Sequence, residues 1–82
     1  MPKKRIEKLI AKTDYKPLMV LIRGTMKASN IEASSLAEFA GISKDSLYRR
    51  FRMPHEFRLC ELSGIARRLD IPWDEIQSRI PG

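Results

Sequence analysis

Every periodic stretch of this chain repeats its apolar residues three and four positions apart, and Gly, Pro or Ser-Asn cuts each stretch within about fourteen residues. Leu18, Leu21, Ile22, Thr25 and Met26 share one face of a helix that runs from Pro17 to about Ala28, with Arg23 and Lys27 opposite and Ser29-Asn30 as its end. A second, short helix covers about Ala33 to Ala40 and stops at Gly41. Ser43, a good N-cap, opens a third helix that carries Leu47 and Phe51 inward until Met53-Pro54. The fourth runs from about Glu56 to Leu69, with Leu59, Leu62, Ile65, Ala66 and Leu69 as its buried stripe. Pro72 starts a fifth, with Asp74 and Glu75 in the first turn where the helix dipole favours acids, and Trp73, Ile76 and Ile80 facing inward. No stretch alternates with period two. The expected fold class is therefore all-α: five short helices around one core, six if Ile6, Leu9 and Ile10 form two further turns. A basic arm over residues 1–15 precedes a single domain over residues 16–82 in this reading. Gly24 costs about 1 kcal/mol against Ala in mid-helix, so close packing of another element is expected there.

The inventory of reactive groups excludes most chemistry. In 82 residues there are one His (His55) and one Cys (Cys60), too few for a conventional zinc site or for a cysteine nucleophile with its base and orienting group. The glycines, Gly24, Gly41, Gly64 and Gly82, are scattered, so no glycine-rich phosphate loop exists. Asp70, Asp74 and Glu75 read as helix-end charges, His55 as a turn residue and Cys60 as a small core or boundary residue. An enzyme is not expected, nor a cofactor, a metal or a small-molecule substrate. The longest apolar run, Leu18 to Ile22, is far too short for a bilayer, and no signal-peptide pattern opens the sequence. These features, with the lone cysteine, lead to the expectation of a cytoplasmic protein without a membrane partner. Sixteen Lys and Arg against ten Asp and Glu leave +6 on this small body, which points to a polyanion as partner.

Charge alone does not choose between nucleic acid and an anionic membrane surface, and the stretch from Ser34 to Phe51 bears on the choice. Ala37 is small where two consecutive helices would cross most closely, and Gly41, four residues on, stands where the intervening turn needs a left-handed backbone. Ile42 plugs the turn, Leu36 and Ala40 line the first helix, and Leu47 and Phe51 anchor the second. This pattern resembles the helix-turn-helix of the Cro and phage-repressor family. The order of helices around it, ending in Leu69-Asp70-Ile71-Pro72-Trp73, is similar to that family's five-helix, lambda-repressor-like domain over about residues 16–80. Arg50 stands at a position that is often apolar in the family.

The resemblance implies sequence-specific binding of double-stranded DNA by a small transcriptional regulator, a Cro-like repressor acting as a homodimer on a palindromic operator. With Leu47 and Phe51 inward, Asp45, Tyr48, Arg49 and Arg52 face outward, and Lys44 lies at the helix end that enters the major groove. Arg49 is the foremost candidate for base readout, because its fork matches guanine O6 and N7. Asp45 can accept from cytosine N4, and Tyr48 can pack on a thymine methyl or donate to a phosphate. Arg50 and Arg52 are expected at phosphates, as are Ser34, Ser35 and Ser43, whose hydroxyls lie beside helix N-termini. Lys3, Lys4 and Arg5 can follow the backbone or serve as a solubilising tail.

Plainer readings stand beside these. Asp45 and Arg49, at i and i+4, also suit an ordinary surface ion pair, and Arg67-Arg68 suit solvation of an outer face. A dimer interface would come from the fifth helix or from the Ile6, Leu9, Ile10 segment. A rival reading is an interaction module of the antitoxin or host-inhibitor kind, marked by an exposed apolar patch around Met19 and Val20 and by sequence-blind DNA affinity. RNA binding is less favoured, since Tyr15 and Tyr48 are the few candidate stacking aromatics.

Overall fold

In the computed structural model, which describes residues 14–81, the chain forms five α-helices: α1 (Lys16–Ala28), α2 (Ala33–Ala40), α3 (Lys44–Arg52), α4 (Leu59–Leu69) and α5 (Trp73–Ser78). A 3₁₀ turn over Pro54–Glu56 joins α3 to the approach to α4. There is no strand among the described residues. The expected helix around Ile6–Ile10 and the basic residues Lys3, Lys4 and Arg5 lie outside the described residues.

Local chemistry accounts for the helix boundaries. Asp14 Oδ1 accepts from the Lys16 N–H at 3.0 Å and Pro17 lies in the first turn, so α1 starts where a missing N–H costs nothing. Three helix ends use one device. Asn30, Gly41 and Asp70 adopt left-handed backbone, with φ of 55°, 76° and 56°. In each case the next residue is an isoleucine whose N–H returns to the preceding helix: Ile31 to Met26 O, Ile42 to Ala37 O and Ile71 to Ala66 O, at 2.8, 3.1 and 2.9 Å. This is the Schellman arrangement, which satisfies late carbonyls and turns an apolar side chain back onto the core. Asn and Asp are the side-chain-bearing residues that visit this region most readily.

Ser43 starts α3 as expected. Its backbone is extended, and its Oγ accepts from the Ser46 N–H at 3.1 Å. Ser43→Ala is expected to cost about 1 kcal/mol, read from the shift in a urea unfolding midpoint.

Helix α4 is the hub. It packs most extensively on α2 and also touches α1 and α5. Leu62, Ile65, Ala66 and Leu69 join Leu18, Ile22, Leu36, Ala37, Ala40, Leu47, Ile71 and Ile76 in one buried cluster. Full burial of a Leu or Ile side chain is worth about 1.5–3 kcal/mol, so this cluster holds the domain together.

Several expectations are corrected here. The fourth helix begins at Leu59, not near Glu56, because Pro54–Glu56 forms a separate 3₁₀ turn and Arg58 is the N-cap. Leu59 therefore sits at the first helical position and is 67% exposed, outside the buried stripe. Cys60 is exposed as well, rather than a core or boundary residue. Trp73 opens α5 and stays 38% exposed, while Ile76 takes the inward position and Ile80 is half-buried. The expected close approach at Gly24 is not found among the described residues: a Cβ built there meets none of their atoms within 4 Å. The close approach belongs to Gly64, where a Cβ would collide with the carbonyl oxygen of Phe39 and lie 2.8 Å from its carbon.

Candidate nucleic-acid interface

The nine residues of α3 divide into two arcs. At about 100° per residue, Lys44, Tyr48, Arg52, Asp45 and Arg49 occupy a continuous arc of about 140°, and all five are exposed. Leu47 and Arg50 are buried and Ser46 and Phe51 half-buried on the opposite side. The outer arc holds three cations and a phenol, groups that can meet base edges or phosphates, and one carboxylate, which can accept from a base edge. The structure thus places Lys44, Asp45, Tyr48, Arg49 and Arg52 together, as the sequence suggests.

Arg50 is the main correction. Rather than facing a phosphate, it is 8% exposed and points under α3 toward the start of α4. Its Nε and Nη2 donate to Oε1 and Oε2 of Glu61 at 3.0 and 3.1 Å, a bidentate pair. Glu61 Oε1 also accepts from the Arg58 N–H at 3.1 Å, which satisfies a donor at the N-terminus of α4 in the manner of one arm of a capping box. No buried side-chain polar atom among the described residues lacks a partner. Burial pushes the Glu61 carboxyl up, but the Arg50 hydrogen bonds and the Arg58 N–H outweigh it and leave the pKa below its ordinary value. The hydrogen bond to Glu61 raises the pKa of Arg50 in turn, against the opposing effect of burial.

The alternative Asp45–Arg49 surface pair is not formed. Arg49 Nε instead lies 3.5 Å from Oε1 of Glu56, on the 3₁₀ turn. That same oxygen lies 3.9 Å from Arg50 Nη1. Glu56 therefore stands between an exposed arginine and a buried one. His55, its neighbour on the turn, is exposed.

The serines separate. Ser34 is exposed in the first turn of α2, whose N-cap, Glu32, makes no side-chain cap bond, so that helix start keeps free N–H groups. Ser35 is half-buried, and its Oγ accepts from Arg68 Nε at 2.7 Å. Arg68 also lies over the Phe39 ring, 5.8 Å from its centroid, so it ties α4 to α2 rather than merely solvating an outer face. The Ser43 hydroxyl is engaged in the helix start, accepting from Ser46 N–H and donating to Ser46 Oγ at 3.0 Å.

Two cations on the outer side of α1, Arg23 and Lys27, flank this arc. A groove of about 450 Å³ runs beside α3, lined by Arg23, Lys27, Asn30, Tyr48 and Phe51 among others. Arg23, itself exposed, lies over the Phe51 ring at 5.6 Å, which holds the guanidinium at the groove. The sequence signal was weak, since helical spacing puts Arg23 and Lys27 on one face without saying that α3 flanks it. No group of three or more His, Cys, Asp or Glu side chains able to hold a metal ion occurs among the described residues. No described helix is long and apolar enough to cross a membrane. Comparisons with protein-family models, curated proteins and solved structures find no match to this chain.

Proposed function

We propose that this protein is a sequence-specific double-stranded DNA-binding regulator of the Cro and phage-repressor type, with α2, the Gly41–Ser43 turn and α3 as its helix-turn-helix. The carrying observation is the split of α3: five exposed polar or aromatic residues on one arc, anchored from the other by Leu47, Phe51 and the Arg50–Glu61 pair. A helix so anchored presents a rigid face to a major groove. Arg49 reads guanine, Lys44, Asp45 and Tyr48 contact neighbouring base edges, and Arg52 with Arg23 and Lys27 neutralises phosphates on the flank. Ser34 and the uncapped start of α2 offer N–H donors to a further phosphate, although Glu32 beside them opposes it. The working form is a homodimer on a palindromic operator, where occupancy blocks transcription.

Selection from a random duplex pool at near-physiological salt tests the proposal, and a palindromic consensus is the expected result. Absence of any enrichment from folded protein would sink it. Arg49→Ala is expected to cost about 1–3 kcal/mol on the selected site and to relax base choice at one position, measured by competition binding against each single-base variant.

A second reading, a helical module that docks on another protein, draws on the exposed apolar residues: Val20 is 63% exposed, and Trp73 lines a separate groove of about 370 Å³ with Ser63, Arg67 and Pro72. Single exposed apolar residues are common on soluble domains, so the α3 face carries more weight.

A further inference from the structure

We infer that Glu56 is a positioning residue for Arg49, holding its guanidinium by the Nε edge so that the two terminal nitrogens stay free to grip a guanine; this inference rests on the DNA-binding reading above. Arginine is a planar fork with two donor edges, and guanine recognition through O6 and N7 needs two donors side by side. Glu56 Oε1 lies 3.5 Å from Nε of Arg49, and no other acid pairs with Arg49 among the described residues. The contact is a charge contact at the Nε side, longer than a usual hydrogen bond, and it leaves the terminal edge open.

An isolated surface ion pair would restrain such a long side chain only weakly. Here the carboxylate also lies within charge-contact range of a buried pair. Its Oε1 lies 3.9 Å from Arg50 Nη1, and Arg50 is locked at 3.0 and 3.1 Å to both oxygens of the buried Glu61. Order passes outward from Glu61 to Arg50, to Glu56, to Arg49. The backbone contributes as well, since Glu56 closes a 3₁₀ turn whose Glu56 N–H bonds to Met53 O at 3.0 Å and whose Phe57 N–H bonds to Pro54 O at 3.1 Å. A carboxylate placed beside an expected DNA surface repels phosphates, so it weakens general affinity while sharpening one contact. Those opposite effects separate positioning from simple structural support.

The experiment compares the full chain with E56Q, R49A and the double variant. Each is checked for folding by circular dichroism, passed through selection from a random duplex pool, and titrated with one random duplex at several salt concentrations. The expected result for E56Q is a loss of about fivefold in base preference, confined to the position that R49A also erases, because an exposed ion pair is worth at most about that factor. Affinity for the random duplex rises at low salt. In the R49A background, E56Q changes base preference no further. Should E56Q fail to fold, E56D, one methylene shorter, carries the same expected loss. Unchanged preference in E56Q, or a drop at every position together with weaker binding to the random duplex, overturns the positioning role and leaves the DNA-binding reading standing. A parent protein that enriches no sequence overturns both.

Discussion

Glu61→Ala is expected to destabilise the domain by about 3 kcal/mol, the low end of what breaking a buried ion pair costs. The variant leaves the Arg50 guanidinium under α3 without the two carboxylate oxygens it donates to, and leaves the Arg58 N–H without its acceptor. Urea unfolding followed by circular dichroism would show the midpoint fall with little change in slope. Replacing both partners together, as in Arg50→Met with Glu61→Leu, is expected to recover most of the loss, because no uncompensated charge remains. If Glu61→Ala unfolded at the parent's midpoint, the pair would be ornamental. The same pair makes the fold acid-sensitive. Glu61 has a folded pKa below its ordinary value of 4.5, so its contribution is complete above that value and fades as pH falls through the lower, folded one. Stability should therefore decline below about pH 4.5, and Glu61→Gln should flatten that limb of the curve.

Alanine at two glycines should act in opposite directions. Gly64→Ala forces a Cβ into the Phe39 carbonyl group, with the Phe39 carbon at 2.8 Å and the Ala40 Cα at 3.2 Å. These are backbone atoms, so α2 and α4 must move apart along their main contact, at a cost of about 1–3 kcal/mol, as for other overpacked cores. Gly24→Ala meets no atom of the described residues within 4 Å and replaces the poorer helix former in the middle of α1, a gain of about 1 kcal/mol. Thermal unfolding of the two variants side by side decides the matter: a rise at 24 and a fall at 64.

What was legible in the sequence depended on whether the signal was local. Gly41, Ser43 and Leu47 behave as their spacing implies, because a left-handed turn and an N-cap are properties of a few consecutive residues. The outer arc of α3 follows from helical geometry for the same reason. The Arg50–Glu61 pair was hidden, since its members lie on different helices and periodicity assigns faces without assigning partners. At about 100° per residue Arg50 falls between Ser46 and Leu47, on the inner side, yet its charge argued for solvent. Leu59 was misplaced because its apolar character outweighed a boundary signal that was present, a glutamate at the third position after Arg58. The glycines were exchanged because a close approach is not a local property. Gly24 and Gly64 each lie about 100° from the nearest residue, Thr25 or Ile65, of the Leu18–Ile22–Thr25 and Leu62–Ile65–Ala66 arcs of their helices, so angle does not separate them. What does is the Phe39–Ala40 backbone of α2, packed against α4 at Gly64.

The two-sided character of α3 also bears on how such a chain can change over time. The inner positions that anchor this helix and the five positions of its outer arc are distinct, and the outer five are all exposed, with Tyr48 alone reaching the inner side, edge-on to Phe51 at 6.3 Å between ring centroids. Substitutions at Lys44 or Arg52 consequently carry little folding penalty, so under the DNA-binding proposal a duplicated copy can drift toward a new target one residue at a time. Arg49 is the exception, because its setting includes Glu56; a lineage that abandons one of the two loses the reason to keep the other.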